Sequence, residues 1–143
     1  DILNRAVSFY KLSNEDLILN INKKNKSDIY INGDSEHLNR VFLNLLKNSI
    51  EAIDEKKQKD PNLKGKITLE IDTNNEYIEI KMLDNGIGFK DVANITKPYF
   101  TTKKQGTGLG LPIVSKIIND HGGEINFFKN SDGAKIEITL PIY

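Results

Sequence analysis

A glycine-rich segment directly precedes an apolar run in residues 101–114. Glycine costs a helix interior about 1 kcal/mol relative to alanine, so this segment is either a flexible linker or a place where the backbone approaches something closely. Glycines before a helix allow backbone N–H groups to face an anion, and the helix N-terminus adds a positive partial charge. The alternating glycines are Gly106, Gly108 and Gly110, and further donors to a phosphate could come from Thr101, Thr102 and Lys103. The sequence has neither the G-x-x-x-x-G-K-[ST] motif nor a dinucleotide-binding glycine motif that directly follows a strand.

Two amides lie four residues apart, at Asn44 and Asn48, in a segment with helical periodicity, and Glu51 lies beside them. Side chains at this spacing project from one face of a helix. An amide oxygen is a suitable ligand for a hard cation such as Mg²⁺. Ordinary half-exposed polar positions explain the same pattern, so both interpretations stay open on the spacing alone.

The stretch "LDNGIGF" ends a predicted strand with Asp84, followed by Gly86 and Gly88. Asp-Asn-Gly is favourable turn chemistry, which is one interpretation. In the other, the carboxylate accepts a hydrogen bond from an exocyclic amine such as that of adenine, and the glycines leave room for a flat ligand. The stretch alone does not decide between them.

The elements that must position these groups follow from hydrophobic periodicity. Helical spacing predicts helices over residues 2–12, from Asp34 or Ser35 to beyond residue 53, and over 109–121, where Gly122 and Gly123 are expected to supply positive backbone angles. Alternation predicts strands at 17–21, 29–31, 66–72, 77–83, 124–128 and 135–141. Hairpin-joined strands with separate helices predict an α+β fold, with the helices layered on one face of a mixed sheet.

Composition narrows the class of protein. The 143 residues carry 20 basic and 20 acidic side chains, which gives no electrostatic basis for binding nucleic acid or inserting into a membrane. The absence of cysteine excludes disulfides and thiolate metal sites. No apolar run reaches the roughly 18 residues of a membrane span. The sequence starts at Asp1 rather than Met, so we expect a cytoplasmic piece of a longer protein.

The order of the motifs resembles the ATP-binding catalytic domain of sensor histidine kinases, in the wider GHKL (Bergerat) ATPase superfamily. "NLLKNSIEAI" is similar to the N box of that family, "DNGIGF" to its first glycine box, "KPYFTTK" to its F box, and "GTGLGLPIV" to its second glycine box. "HGGEI" matches the element after the last helix. The resemblance extends over residues 34–141 and is nearest to the nitrogen-sensor type. It implies a two-layer α/β sandwich with about three helices on a mixed five-stranded sheet.

The resemblance also implies roles for individual residues. Asn48 would bind Mg²⁺, Asn44 would support the metal and phosphates, Asp84 would bind the adenine amino group, and residues 89–107 would form the ATP lid. The implied catalytic residues are Asn44, Asn48 and Glu51. The implied ATP-binding residues are Asn44, Asn48, Asp84, Gly86, Ile87, Gly88, Thr101, Thr102, Lys103, Gly106, Thr107, Gly108, Leu109, Gly110 and Leu111. Ala134 stands where many relatives have threonine, which puts hydroxyl support for Asp84 in doubt.

Position 44 distinguishes branches of the superfamily. The hydrolytic ATPases and the anti-sigma serine kinases have a glutamate there as general base, whereas Asn44 cannot accept a proton. Because phosphoryl transfer depends mostly on positioning and electrostatics, transfer to a histidine is favoured over hydrolysis. A hydrolytic ATPase, an anti-sigma-type serine kinase and a non-catalytic interaction module remain the alternatives.

The phosphate acceptor is expected outside this chain. Neither His37 nor His121 lies in the setting of the family's phosphorylated helix, and His121, near a helix end, would suit the helix dipole as imidazolium. We therefore expect residues 13–143 to be the ATP-binding kinase domain and residues 1–12 to be a junction helix. The expected partners are a histidine-bearing dimerisation domain of the same kinase and a downstream response regulator.

Overall fold

The computed structural model of this protein describes residues 1–14, 16–25, 27–95 and 110–142. The helices in these ranges are α1 (Ile2–Ser13), α2 (Ser35–Lys59) and α3 (Gly110–Asp120), with a short 3₁₀ helix at Val92–Asn94. The strands are β1 (Ile18–Lys23), β2 (Lys66–Thr73), β3 (Tyr77–Asp84), β4 (Glu124–Asn130) and β5 (Gly133–Pro141). The predicted helices and five of the six predicted strands are therefore confirmed.

The five strands form one mixed sheet in the order β1-β2-β3-β5-β4. β1 runs parallel to β2, and every other neighbouring pair is antiparallel. The register sets Asp84, the last residue of β3, opposite Ile67 of β2 and Ala134 of β5. The end of β3 is therefore flanked on both sides by sheet backbone.

Alternation along the strands divides the sheet into an apolar face and a polar face. Alternate residues such as Leu69, Ile80 and Ile138 are buried in the core that the sheet shares with the helices. On the intervening positions the charged side chains form short ion pairs, for example 3.0 Å between Lys135 Nζ and Glu137 Oε1. The helices therefore cover one face, and the predicted α+β two-layer fold is confirmed.

Helix α2 is the longest element and crosses the core. Its apolar positions are buried in a stripe of helical spacing, as predicted, and include Leu38, Val41, Phe42, Leu45, Leu46 and Ile53. The Asp34 carboxylate accepts hydrogen bonds from the backbone N–H groups of Glu36 and His37, at 2.9 and 3.1 Å, so Asp34 is the N-cap. α1 packs against α2, and the Tyr10 hydroxyl donates to the Leu43 carbonyl at 3.2 Å.

The end of α3 corrects one expectation. Gly122 has φ of +75°, as predicted, and its N–H bonds the Asn119 carbonyl. Gly123 does not have a positive φ. A side chain at Gly123 would instead collide with the Thr139 carbonyl of β5, so this glycine is required by close packing rather than by backbone angle.

The predicted strand at residues 29–31 is wrong, because this segment is irregular in the structure. Ile29 and Ile31 pack partly against the core while Tyr30 is 69% exposed, which explains the alternation that suggested a strand. Alternation of apolar and polar residues shows which side chains are buried, whereas a strand must also form backbone hydrogen bonds with a neighbouring strand. Here the segment leads into the α2 cap instead.

Leu45 and Leu12 test whether the α2 stripe carries the stability of the fold. Leu45 is fully buried and Leu12 is 84% exposed. We expect Leu45→Ala to lower the free energy of unfolding by about 3 kcal/mol, because it leaves a cavity in the core. Leu12→Ala should change it by less than about 0.5 kcal/mol. Urea unfolding of both variants measures this, and equal losses would contradict the assigned core.

Candidate functional site

The Asp84 carboxylate is the centre of the candidate site. Its side chain is only 8% exposed at the end of β3. Its Oδ1 accepts a hydrogen bond from the Gly86 N–H at 2.9 Å and a longer one from the Ala134 N–H at 3.4 Å. The β3–β5 register supplies the second donor, since Ala134 lies directly opposite Asp84. The sheet and the following turn thus hold the carboxylate in one orientation.

Burial raises the pKa of Asp84 above its ordinary value, because desolvation disfavours the charged form. The hydrogen bonds from Gly86, Ser49 and Ala134, and the positive charge of Lys56, oppose this effect without cancelling it. A buried carboxylate held in this way is a strong acceptor for a ligand N–H group.

Ser49 places a hydroxyl near Asp84, whereas the Ala134 side chain has none. It follows Asn48 on α2 and is 3% exposed. Its hydroxyl donates to the Met82 sulfur, a weak acceptor, at 3.5 Å, and its interaction with the Asp84 carboxylate opposes the rise in the pKa of that group. We did not predict this role. The available signal was a serine placed among the buried positions of the α2 wheel, where a hydroxyl requires a partner.

The turn after Asp84 is pressed against α2. A Cβ atom at Gly86 would lie 2.7 Å from the Ala52 carbonyl carbon, so only glycine fits without displacing the turn. The next residue, Ile87, donates its N–H to the Ala52 carbonyl at 3.2 Å. This contact joins the predicted adenine end of the site to α2, one helical turn after Asn48.

The chain leaves this turn along a fixed path. Gly88 has φ of +77°, a conformation that favours glycine. The Phe89 ring then packs edge-on against Phe127 of β4, with 5.5 Å between centroids. Lys90 pairs with Glu55 of α2 at 3.6 Å. The start of the predicted lid is therefore tied to both the sheet and α2.

The predicted phosphate end of the site lies along α2. Asn44, Asn48 and Glu51 are all partly buried on this helix, and Asn48 directly precedes the Asp84 partner Ser49. An open cleft of about 540 Å³ joins Asn44 to Gly110 and Ile113 of α3. The structure thus places Asn44 beside the start of α3, while Asn48 lies one turn further along α2, before Ala52, which contacts the turn after Asp84.

Part of the predicted site lies outside the described residues. These are Thr101, Thr102, Lys103, Gly106, Thr107, Gly108 and Leu109. Gly110 and Leu111 are described, in the first turn of α3. A Cβ at Gly110 would meet nothing within 4 Å, so in the described residues no crowding requires glycine there.

The two histidines have structural contacts. The His121 Nδ1 lies 2.7 Å from the Ile117 carbonyl, and its Nε2 accepts the Asp34 backbone N–H at 3.0 Å. Both ring nitrogens of His121 therefore contact backbone groups, one near the end of α3 and one at the start of α2. His37 lies in the first turn of α2, with its Nδ1 3.6 Å from an Asp34 carboxylate oxygen.

A larger groove of about 740 Å³ lies at the opposite end of β2 from the Asp84 site. Residues of the 25–32 segment line it, together with Thr73 and Ile142. Among the described residues that line this groove, Asp28 is the only charged one and none belongs to the predicted site. The chemistry therefore concentrates at the Asp84 end.

Comparison with known proteins identifies the class. Residues 33–143 match the family model of histidine kinase-, DNA gyrase B- and HSP90-like ATPases. The chain belongs to this family, and the predicted resemblance is confirmed.

Within the family, the relatives are of the histidine kinase type. Sporulation kinase B of Bacillus subtilis is 36% identical over 85% of this chain and 27% of its own length. Nitrogen regulation protein NtrY of Azorhizobium caulinodans is 38% identical over 75% of this chain and 14% of its own length. The solved catalytic domain of histidine kinase ThkA aligns with a TM-score of 0.83 at 26% identity, covering 98% of this chain and 90% of that one.

These matches define what the chain is and how much of a protein it represents. It is an ATP-binding catalytic domain of the histidine kinase type, and a nitrogen regulation protein is among its relatives, as predicted. It spans about a quarter or less of the two kinases named above. Among the described residues, no helix is long and apolar enough to cross a membrane.

The burial of Asp84 should make the free energy of unfolding depend on pH. Because the pKa of Asp84 is higher folded than unfolded, the folded state binds more protons above the ordinary aspartate pKa. Stability should therefore fall as pH rises through the window between the two pKa values. Asp84→Asn keeps an acceptor oxygen but cannot ionise, so it should remove this slope.

Urea unfolding of wild type and Asp84→Asn across acidic and neutral pH measures the difference. Asp28→Asn is the control, since Asp28 is an exposed carboxylate in the groove at the opposite end of β2. Parallel pH curves for wild type and Asp84→Asn would contradict the assignment.

Proposed function

We propose that this domain binds ATP with the adenine amino group on Asp84 and the triphosphate along α2, and transfers the γ-phosphoryl group to a histidine of a separate domain. The observation that carries the proposal is the buried Asp84 carboxylate, oriented by Gly86, Ala134 and Ser49 at the turn that touches α2. An acceptor fixed in this way suits an exocyclic amine. The glycines beside it allow the turn to pack closely against α2 and β5, which holds the carboxylate in place.

The metal we propose is Mg²⁺, with the Asn48 amide oxygen as its protein ligand and Asn44 in support. The residues fit, because Mg²⁺ usually takes phosphate oxygens and waters with only one or two protein ligands. Asn48 lies between the adenine end at Ala52 and the cleft at Asn44, where the phosphates of a nucleotide would pass. When bound, the ion would neutralise phosphate charge during transfer.

Transfer, rather than hydrolysis, is favoured by the residue at position 44. The lone pair of an unprotonated imidazole nitrogen would attack the γ-phosphorus, the bond to the ADP oxygen would break, and ADP would leave. This nucleophile needs no strong base, whereas water does, and the Asn44 amide cannot act as one. Glu51 is the candidate for orienting groups around the metal. Its negative charge also raises the pKa of Tyr10 in α1, although burial of that hydroxyl is the larger cause.

The acceptor histidine would then be supplied by a dimerisation domain, with α1 as the junction to it. His121 supports this view, since both of its ring nitrogens are engaged in the described structure. A response regulator is the proposed downstream partner, in keeping with the kinase type of the relatives. The cytoplasm, where ATP is the common phosphoryl donor, is the proposed location.

A calorimetric titration with a non-hydrolysable ATP analogue, with and without Mg²⁺, tests the nucleotide site. We expect wild type and the control Asp28→Asn to bind, and Asp84→Asn to lose binding because its amide presents a donor to the adenine amine. Asn48→Ala should retain adenine binding but lose the Mg²⁺ dependence. Normal affinity for the ATP analogue in a folded Asp84→Asn variant would contradict the assignment of Asp84 to the adenine amino group.

The alternative function is a hydrolytic ATPase of the same superfamily, for which Glu51 beside the asparagines is the supporting observation. Steady-state release of phosphate by the isolated chain distinguishes the two. Substantial turnover without any histidine-bearing partner would favour hydrolysis, and bound ATP that stays intact would favour transfer.

A further inference from the structure

We infer that Arg40 binds the terminal phosphate of the nucleotide and so distinguishes ATP from ADP, an inference that rests on the function proposed above. Arg40 lies on α2 and lines the open cleft of about 540 Å³ that also contains Asn44 and Gly110. Among the described residues that line this cleft, it carries the only positive charge. No motif of the sequence singled it out.

The helix itself sets the direction of the nucleotide. Positions 52, 48, 44 and 40 follow one another at intervals of four residues, a stripe that turns slowly around α2. Ala52 touches the turn that carries Asp84, which fixes the adenine end. A nucleotide that extends from there over Asn48 and Asn44 therefore points toward Arg40, about 6 Å further along the helix axis.

The charges along this stripe favour the end of the phosphate chain at Arg40. The amides at 48 and 44 are neutral, so they can orient phosphate oxygens but cannot balance their charge. Arg40 is exposed, and no ion pair joins it to another described residue, so its guanidinium is available. Glu36, one turn further along the same cleft, is a carboxylate that would repel phosphate. Arg40 is thus the last position on the stripe where an anion is favoured.

The guanidinium geometry adds selectivity. A planar guanidinium can donate two parallel hydrogen bonds to one phosphate group, and such charged bonds are stronger than neutral ones. Since ADP ends one phosphate earlier, only ATP would place a phosphate beside Arg40. The contact would therefore contribute to the affinity for ATP far more than to the affinity for ADP.

The experiment compares Arg40→Ala with Lys47→Ala, which removes the same charge from an exposed position on α2 that does not line the cleft. Binding of ADP and of a non-hydrolysable ATP analogue is measured by calorimetry. We expect Arg40→Ala to lower the affinity for the ATP analogue by about tenfold or more and to leave the affinity for ADP nearly unchanged. Arg40→Lys keeps the positive charge but cannot donate two parallel hydrogen bonds. Its affinity for the ATP analogue should therefore lie between those of wild type and Arg40→Ala.

The remaining outcomes overturn the inference in distinguishable ways. If Arg40→Ala lowers the affinities for the ATP analogue and for ADP equally, or if Lys47→Ala has the same effect as Arg40→Ala, Arg40 makes only a general electrostatic contribution to binding. Unchanged binding of both nucleotides with slower transfer to a histidine partner would assign Arg40 to docking instead. If wild type binds neither nucleotide, the proposed function fails as well.

Discussion

The site depends on burying one carboxylate, that of Asp84, in a place where burial alone would penalise its charge. An unpaired charge in a protein interior is costly unless hydrogen bonds replace water. Here the Gly86 N–H, the Ala134 N–H and the Ser49 hydroxyl take that role. Each donor comes from a different element, namely the turn after β3, strand β5 and helix α2. The carboxylate is therefore in place only when the sheet register and the helix packing are both correct.

Helix α2 connects the parts of the site because it has two kinds of surface. Its apolar stripe is buried in the core, which fixes the helix against the sheet. The neighbouring polar stripe carries the asparagines, and the Ala52 carbonyl accepts the Ile87 N–H from the glycine turn. At its start, the Asp34 backbone N–H bonds His121 beyond the end of α3. The packing that stabilises the fold thus also sets the spacing between the proposed adenine and phosphate ends of the site.

Much of this arrangement could be predicted from the sequence because it depends on local patterns. Apolar spacing located α2 and α3, alternation located the paired strands, and the order of short motifs indicated the family. Relations between distant segments could not be predicted in the same way. The role of Ser49 requires Asp84 to be its neighbour across α2 and β3, and the contact of His121 with the Asp34 N–H joins residues that are far apart in the sequence. The false strand at 29–31 has the same origin, because alternation shows burial but not pairing.

The two ends of the site are built differently, and this bears on how such a domain acts. The proposed adenine end is crowded: Gly86 lies against Ala52, and a side chain at Gly133 would collide with the Asp84 carbonyl. The proposed phosphate end borders a cleft of about 540 Å³, where no described residue lies within 4 Å of a Cβ position at Gly110. A crowded end can be preorganised for the base, since its donors are fixed before binding. In the proposed function, this cleft between the described parts of α2 and α3 is where an acceptor from another domain would approach the phosphorus.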